Sequence, residues 1–168
     1  MFNIGEIIVY GTEGVFCVSD YARSPVDKHD QRTFYILKPA FSGDCSTIYA
    51  PSENGTVKMR RVISREEAEL FIECMPGISA LEIEQEKKRR QAYKEAMQSG
   101  ELCVYASIIK SVSEKREDCI KNRKRLSESD NEYEKRAKFC LYGELAIALG
   151  IGFNEVEEYI SRKLGACI

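Results

Sequence analysis

The stretch Met59-Arg60-Arg61-Val62-Ile63-Ser64-Arg65-Glu66-Glu67-Ala68 holds the decisive change in the chain: the pattern is strand-like up to Ile63 and helical from Ser64. Ser64 and Glu67 have capping-box spacing, in which each side chain accepts a hydrogen bond from the other residue's backbone N–H. Ala68, Phe71, Ile72 and Met75 then recur at helical intervals until Pro76-Gly77 ends the run.

Upstream of that switch, residues 6–10, 15–21, 33–38, 47–50 and 56–63 are short, β-branched or aromatic segments separated by Gly, Pro, Asp and Asn. Five such strands predict a small antiparallel barrel over residues 1–63. Tyr10-Gly11-Thr12-Glu13-Gly14 reads as a hairpin or bulged turn, and the polar segment 24–32, which holds Pro25, as a surface loop.

Downstream, a charged helix is predicted from about residue 84 to 98, stopped by Ser99-Gly100, and another from about 102 to 116. Val104, Tyr105, Ile108, Ile109 and Val112 mark a buried stripe on the second of these. Polar residues 122–131 read as a connector to a helix with Tyr133, Ala137, Cys140, Leu141, Leu145 and Ala148 on one face, ended by Gly150. Asn154 and Glu157 are spaced as a capping box for a last helix reaching about Lys163. The expected fold class is α+β in two segregated parts, a barrel over 1–63 and an all-helical domain over 64–168.

Composition narrows the function. The 168 residues include 43% hydrophobic ones, enough for a core in each part. No run approaches the roughly 18 apolar residues of a membrane span, and the first residues lack a secretory pattern, so a cytoplasmic protein without membrane attachment is expected. Seven cysteines (Cys17, Cys45, Cys74, Cys103, Cys119, Cys140 and Cys167) stand singly, which fits neither a disulfide framework nor a zinc site and implies a reducing compartment. The single histidine, His29, has no second imidazole for a metal or a nucleophilic triad. No phosphate-binding Gly-rich loop or dinucleotide fingerprint is present, and the carboxylates cluster near helix starts, where the macrodipole favours them. No metal, no cofactor and no enzymatic activity are therefore expected.

A net charge of −2 provides no broad attraction for nucleic acid, whose affinity comes from neutralising phosphates. Lys87-Lys88-Arg89-Arg90 is the exception, with Lys94 one turn beyond Arg90. Four consecutive cations span more than one helical turn and cannot all pair with carboxylates four residues away, so some face solvent or phosphate.

The order of motifs resembles the CarD/CdnL family of bacterial transcription regulators. The likeness is carried by Phe2-Asn3-Ile4-Gly5-Glu6-Ile7-Ile8-Val9-Tyr10-Gly11 with Gly14-Val15, by Tyr35-Ile36-Leu37-Lys38-Pro39, and by Ser46-Thr47-Ile48-Tyr49-Ala50-Pro51 with Asn54. It continues through Met59-Arg60-Arg61-Val62-Ile63-Ser64, Tyr93-Lys94-Glu95, Ser99-Gly100-Glu101, and Leu141-Tyr142-Gly143-Glu144-Leu145-Ala146 with Leu149-Gly150. The resemblance implies a Tudor-like (SH3-like) β-barrel that binds the β-subunit lobe of RNA polymerase, and a helical domain that contacts promoter DNA at the upstream edge of the melting bubble.

By the same resemblance, polymerase is met by an exposed strand over 46–50, using Thr47, Ile48 and Tyr49, with Arg23 and Ser24 on the neighbouring loop. Unpaired strand edges offer main-chain donors and acceptors for strand addition. The DNA contact falls to Lys87, Lys88, Arg89, Arg90 and Lys94, in a protein expected to act as a monomer. One departure stands out: many family members place a tryptophan near the start of this helix as a minor-groove wedge, and this chain has none. Glu82 or Glu86 occupies that position, and Tyr93 or Tyr105 is the aromatic left to substitute, although periodicity makes Tyr105 a core residue. A polymerase-binding or protein-binding adaptor without DNA activity is the alternative.

Overall fold

The computed structural model describes residues 1–23, 32–41, 46–53 and 56–165, which divide into two compact units, 1–62 and 63–168. Ser24 and His29 lie outside the described residues, as do most of the loop expected over 24–32, Cys45, Asn54 and Cys167.

The first unit is a five-stranded antiparallel sheet: β1 (Ile7–Tyr10), β2 (Gly14–Arg23), β3 (Thr33–Pro39), β4 (Ile48–Pro51) and β5 (Met59–Arg61), in the order β4-β3-β2-β1-β5. The chain meanders through four strands and then brings the fifth back beside the first, as Tudor-like and SH3-like barrels do. Period-two alternation decides which face is inward. Ile8, Phe16, Val18, Tyr35, Leu37 and Ala50 form the buried cluster, with Phe2, Tyr10, Tyr21, Ile48 and Met59 packed around it. A register shift between Val18 and Asp20 inserts Ser19 as a bulge, whose hydroxyl donates to the Ile36 carbonyl at 3.0 Å. Bulges of this kind bend and twist the strand that carries them, which rolls the sheet around its core.

The second unit contains α1 (Arg65–Cys74), α2 (Glu86–Met97), α3 (Leu102–Lys121), α4 (Glu128–Leu149) and α5 (Val156–Leu164). The Ser64 capping box forms as its spacing predicts, with both reciprocal bonds present. The central helix is α4, which packs against all four others. Its Ala137, Cys140, Leu141, Leu145 and Leu149 are buried, as are Ile72, Met97, Tyr105, Ile108, Val112, Val156 and Ile160 on the helices packed against it. Among the described residues, no single helix is long and apolar enough to cross a membrane.

Three helix boundaries differ from expectation, each for a local reason. Helix α3 continues five residues past Arg116, and the last four residues of the expected 122–131 connector belong to α4, because the Ser127 hydroxyl accepts from the Asp130 N–H and caps the helix there. The Asn154 to Glu157 capping box does not form. Glu155 instead accepts from the Gly152 N–H, producing a short 3₁₀ turn before α5. At the end of α4, Gly150 takes the left-handed conformation (φ 68°), and Ile151 donates back to the Ala146 carbonyl in the usual glycine stop.

Candidate functional site

Two surfaces gather the residues singled out by sequence, one on each unit. On the helical unit the cations divide sharply by side of α2. Lys87, Arg90 and Lys94 follow one another at three and four residues and form an exposed stripe, with Lys88 beside them. Among the described residues, none of these four has a carboxylate partner. They are charges left to solvent.

Arg89 is on the opposite side and only 2% exposed, so the expectation that it contacts DNA is corrected. Its Nε and Nη2 donate to the two carboxylate oxygens of Asp130 at 2.7 Å each, and its Nη1 donates to the carbonyls of Ile83 and Glu84 at 3.0 Å. The guanidinium therefore ties the connector before α2 and α2 itself to the first turn of α4. An arginine fork suits a carboxylate so well that burying the pair is tolerated, whereas a lysine here would leave bonds unmade.

The aromatic substitutes for a wedge are corrected as well. Tyr93 is fully buried, its hydroxyl 2.8 Å from the Ser111 hydroxyl and its ring edge-on to Tyr133 with centroids 5.6 Å apart. Burial pushes the Tyr93 phenol above its ordinary pKa, although the Ser111 bond opposes the shift. Tyr105 is buried as its helical stripe predicts. Glu82 and Glu86, the two positions aligned with the missing tryptophan, are both exposed.

The sequence reading missed a second cationic group in the turn after α3. Lys121, Arg123, Lys124 and Arg125 are all exposed within five residues. The run Lys-Asn-Arg-Lys-Arg was a legible signal, but treating 122–131 as a polar connector hid it.

On the sheet unit, β4 is an edge strand: it pairs with β3 through Leu37/Ile48, Ile36/Tyr49, Tyr35/Ala50 and Phe34/Pro51. Ser52 donates to the Thr33 carbonyl at 2.9 Å, which fixes the phase of the ladder. Antiparallel pairs alternate between bonded and non-bonded, so Ile48 and Ala50 direct their N–H groups to β3 while Tyr49 directs its own N–H and C=O outward. Pro51 occupies another outward position, where its missing N–H is harmless. The side chains alternate too: Ile48 packs on the core, whereas Thr47 and Tyr49 are exposed, Tyr49 by 45%. Arg23 is exposed at the end of β2, which adjoins β3.

Among the described residues, no group of three or more His, Cys, Asp or Glu side chains could hold a metal ion. The buried carboxylates serve the fold. Glu134 receives the Arg116 guanidinium, and Glu144 accepts from the Ile63 N–H at 3.2 Å.

Comparison with known families agrees with this arrangement. Residues 75–161 match the model of the CarD C-terminal domain, spanning α2, α3, α4 and most of α5. No curated protein matches the chain. The match covers more than half of the sequence and includes the helix that exposes the cationic stripe. The chain belongs to the CarD/CdnL family of transcription regulators.

Proposed function

We propose that this protein regulates transcription initiation by docking its sheet unit on the β-subunit lobe of RNA polymerase and laying the exposed face of α2 on promoter DNA. Association with RNA polymerase is a property of the family, whose members are regulators and not enzymes. The observation that carries the DNA contact is the division of α2: the fold uses Arg89 internally and leaves Lys87, Lys88, Arg90 and Lys94 outside without carboxylate partners. The outward main chain of Tyr49 on an edge strand supports the polymerase contact.

Tethering reconciles the stripe with the overall negative charge. A second contact made by an already docked protein acts at an effective concentration of about millimolar, so four cations suffice where free protein would bind weakly. Phosphate contacts of this kind position a protein on duplex DNA and carry little sequence information.

A photo-crosslinking residue placed at Lys94 tests this directly. Polymerase-dependent crosslinks to promoter DNA near the upstream bubble edge are the expected result. Crosslinks to polymerase alone would favour the adaptor reading, which an exposed glutamate at the wedge position, Glu82 or Glu86, supports because a carboxylate repels phosphate.

A further inference from the structure

The turn between α3 and α4 presents three features together. First, Arg123, Lys124 and Arg125 are exposed, and among the described residues none has a carboxylate partner. Lys121 beside them approaches Glu117 and Asp118 only at 3.9 Å, in exposed pairs that contribute little.

Second, Arg123 is the only described residue other than glycine with a positive φ, at 53°. The turn is built as a glycine stop, with the Lys124 N–H donating to the Cys119 carbonyl at 2.7 Å, the same bond that Gly150 allows at the end of α4. Glycine fits this position without penalty; an arginine there costs about 1 kcal/mol. Residues other than glycine held in this conformation cluster at functional sites.

Third, Ile120 is 70% exposed on the last turn of α3, next to those cations. An exposed apolar side chain bordered on its C-terminal side by cations suits the wall of a nucleic-acid groove, where apolar sugar faces lie between rows of phosphates. A membrane surface asks for a whole apolar helix face, and the neighbouring Glu117 and Asp118 deny one.

The turn lies at the end of the helical unit that also holds the start of α2. Ser127 and Asp130, just beyond it, open α4, and Asp130 is the partner of Arg89 on α2. A shallow depression lined by Glu84, Arg89, Lys115 and Asp118 lies between the start of α2 and the end of α3.

We propose that residues 120–125 form a second duplex-contacting element, in which Arg123, Lys124 and Arg125 hold backbone phosphates and Ile120 packs against the sugar wall of the groove. This rests on the assignment of DNA as the ligand of α2 and assigns the same ligand to a separate loop.

The test uses the full chain, a short fluorescent duplex of mixed sequence and a series of salt concentrations. Each lost phosphate contact lowers the slope of log affinity against log salt by about 0.9, so Arg123→Gly with Lys124→Ala and Arg125→Ala should lower it by roughly 2 to 3. Glycine at 123 relieves the backbone, which keeps the variant folded. Ile120→Ser should weaken binding roughly five- to tenfold at every salt concentration while leaving the slope intact.

A turn variant with wild-type slope and affinity overturns the proposal. If replacing Lys87, Lys88, Arg90 and Lys94 with alanine lowers the slope and the turn variant does not, α2 stands and the turn fails alone. If neither variant lowers it, both assignments fail. Loss of binding to phosphatidylglycerol vesicles by the turn variant, with the DNA slope unchanged, would replace the duplex by a membrane surface and overturn the proposal as well.

Discussion

Arg89 and Asp130 form a two-bonded ion pair at 2.7 Å, buried on both sides, that joins the most cationic helix of the protein to the first turn of its central one. Removing either partner leaves a buried charge alone, so Arg89→Ala or Asp130→Ala should destabilise the fold by about 3–5 kcal/mol, measured by denaturant unfolding. Lys88→Ala, one residue away but exposed, should change stability by less than about 0.5 kcal/mol. Equal losses for Arg89→Ala and Lys88→Ala would contradict the structural role of Arg89.

The same pair sets an acid response. Burial pushes the Asp130 carboxyl up, but the hydrogen bonds from Arg89 and Ser127 and the Arg89 charge outweigh it, and the group titrates below the ordinary carboxylate range. A depressed folded pKa means full stabilisation above the unfolded value of about 3.9 and progressive loss as pH falls from there toward the folded value. The melting temperature of the wild type should therefore fall more steeply on acidification below about pH 4 than that of an Arg89→Met, Asp130→Leu double variant. Parallel curves would show that the pair does not govern this loss.

Ladder phase on β4 separates two proline substitutions. Ile48→Pro removes an N–H bonded to β3, worth about 1 kcal/mol before any distortion, and displaces a core side chain. Tyr49→Pro removes only an outward N–H. Tyr49→Pro should keep the sheet folded by circular dichroism yet lose capture of RNA polymerase, with Tyr49→Ala reporting the side chain separately. A folded Tyr49→Pro variant that still captures polymerase normally would exclude strand addition at this edge.

At Arg123 the backbone forecast is opposite in sign to most substitutions. Arg123→Gly should stabilise the protein by about 0.5–1 kcal/mol in denaturant midpoint, because the left-handed conformation costs glycine nothing. Arg123→Ala removes the same charge but keeps the strain, and should show no such gain.

The two-part architecture is legible in the sequence because period-two and helical patterning meet abruptly at Ser64, and the capping box there depends only on local spacing. Helix starts that depend on one side chain are harder: Ser127 stands in a run of polar residues with no apolar period to announce it. The candidate site was half legible. A run of four cations states that some must face solvent, but which one turns inward depends on Asp130, a residue 41 positions away that periodicity does not connect to α2. Tyr93 is hidden for the same reason, since its partner Ser111 belongs to another helix.

The missing tryptophan also gives a forecast. Glu86 is exposed in the first turn of α2, and the sequence contains no other tryptophan to obscure a reporter. Glu86→Trp or Glu82→Trp should lengthen the lifetime of open promoter complexes, with a change in indole emission when polymerase and promoter are both present. Neither emission change nor longer lifetime in either variant would indicate that this end of α2 stays clear of the bubble edge.

The central claim is that the exposed stripe of α2 acts on promoter DNA once the sheet unit is docked. Its most direct test is the lifetime of open complexes formed by RNA polymerase with saturating wild-type protein or with a Lys87→Ala, Lys88→Ala, Arg90→Ala, Lys94→Ala variant. Arg89 stays untouched so that the fold survives. The account predicts that the variant binds polymerase as tightly as wild type but loses its effect on the lifetime, to a similar extent on unrelated promoters. A variant that binds polymerase and changes the lifetime as wild type does would contradict it.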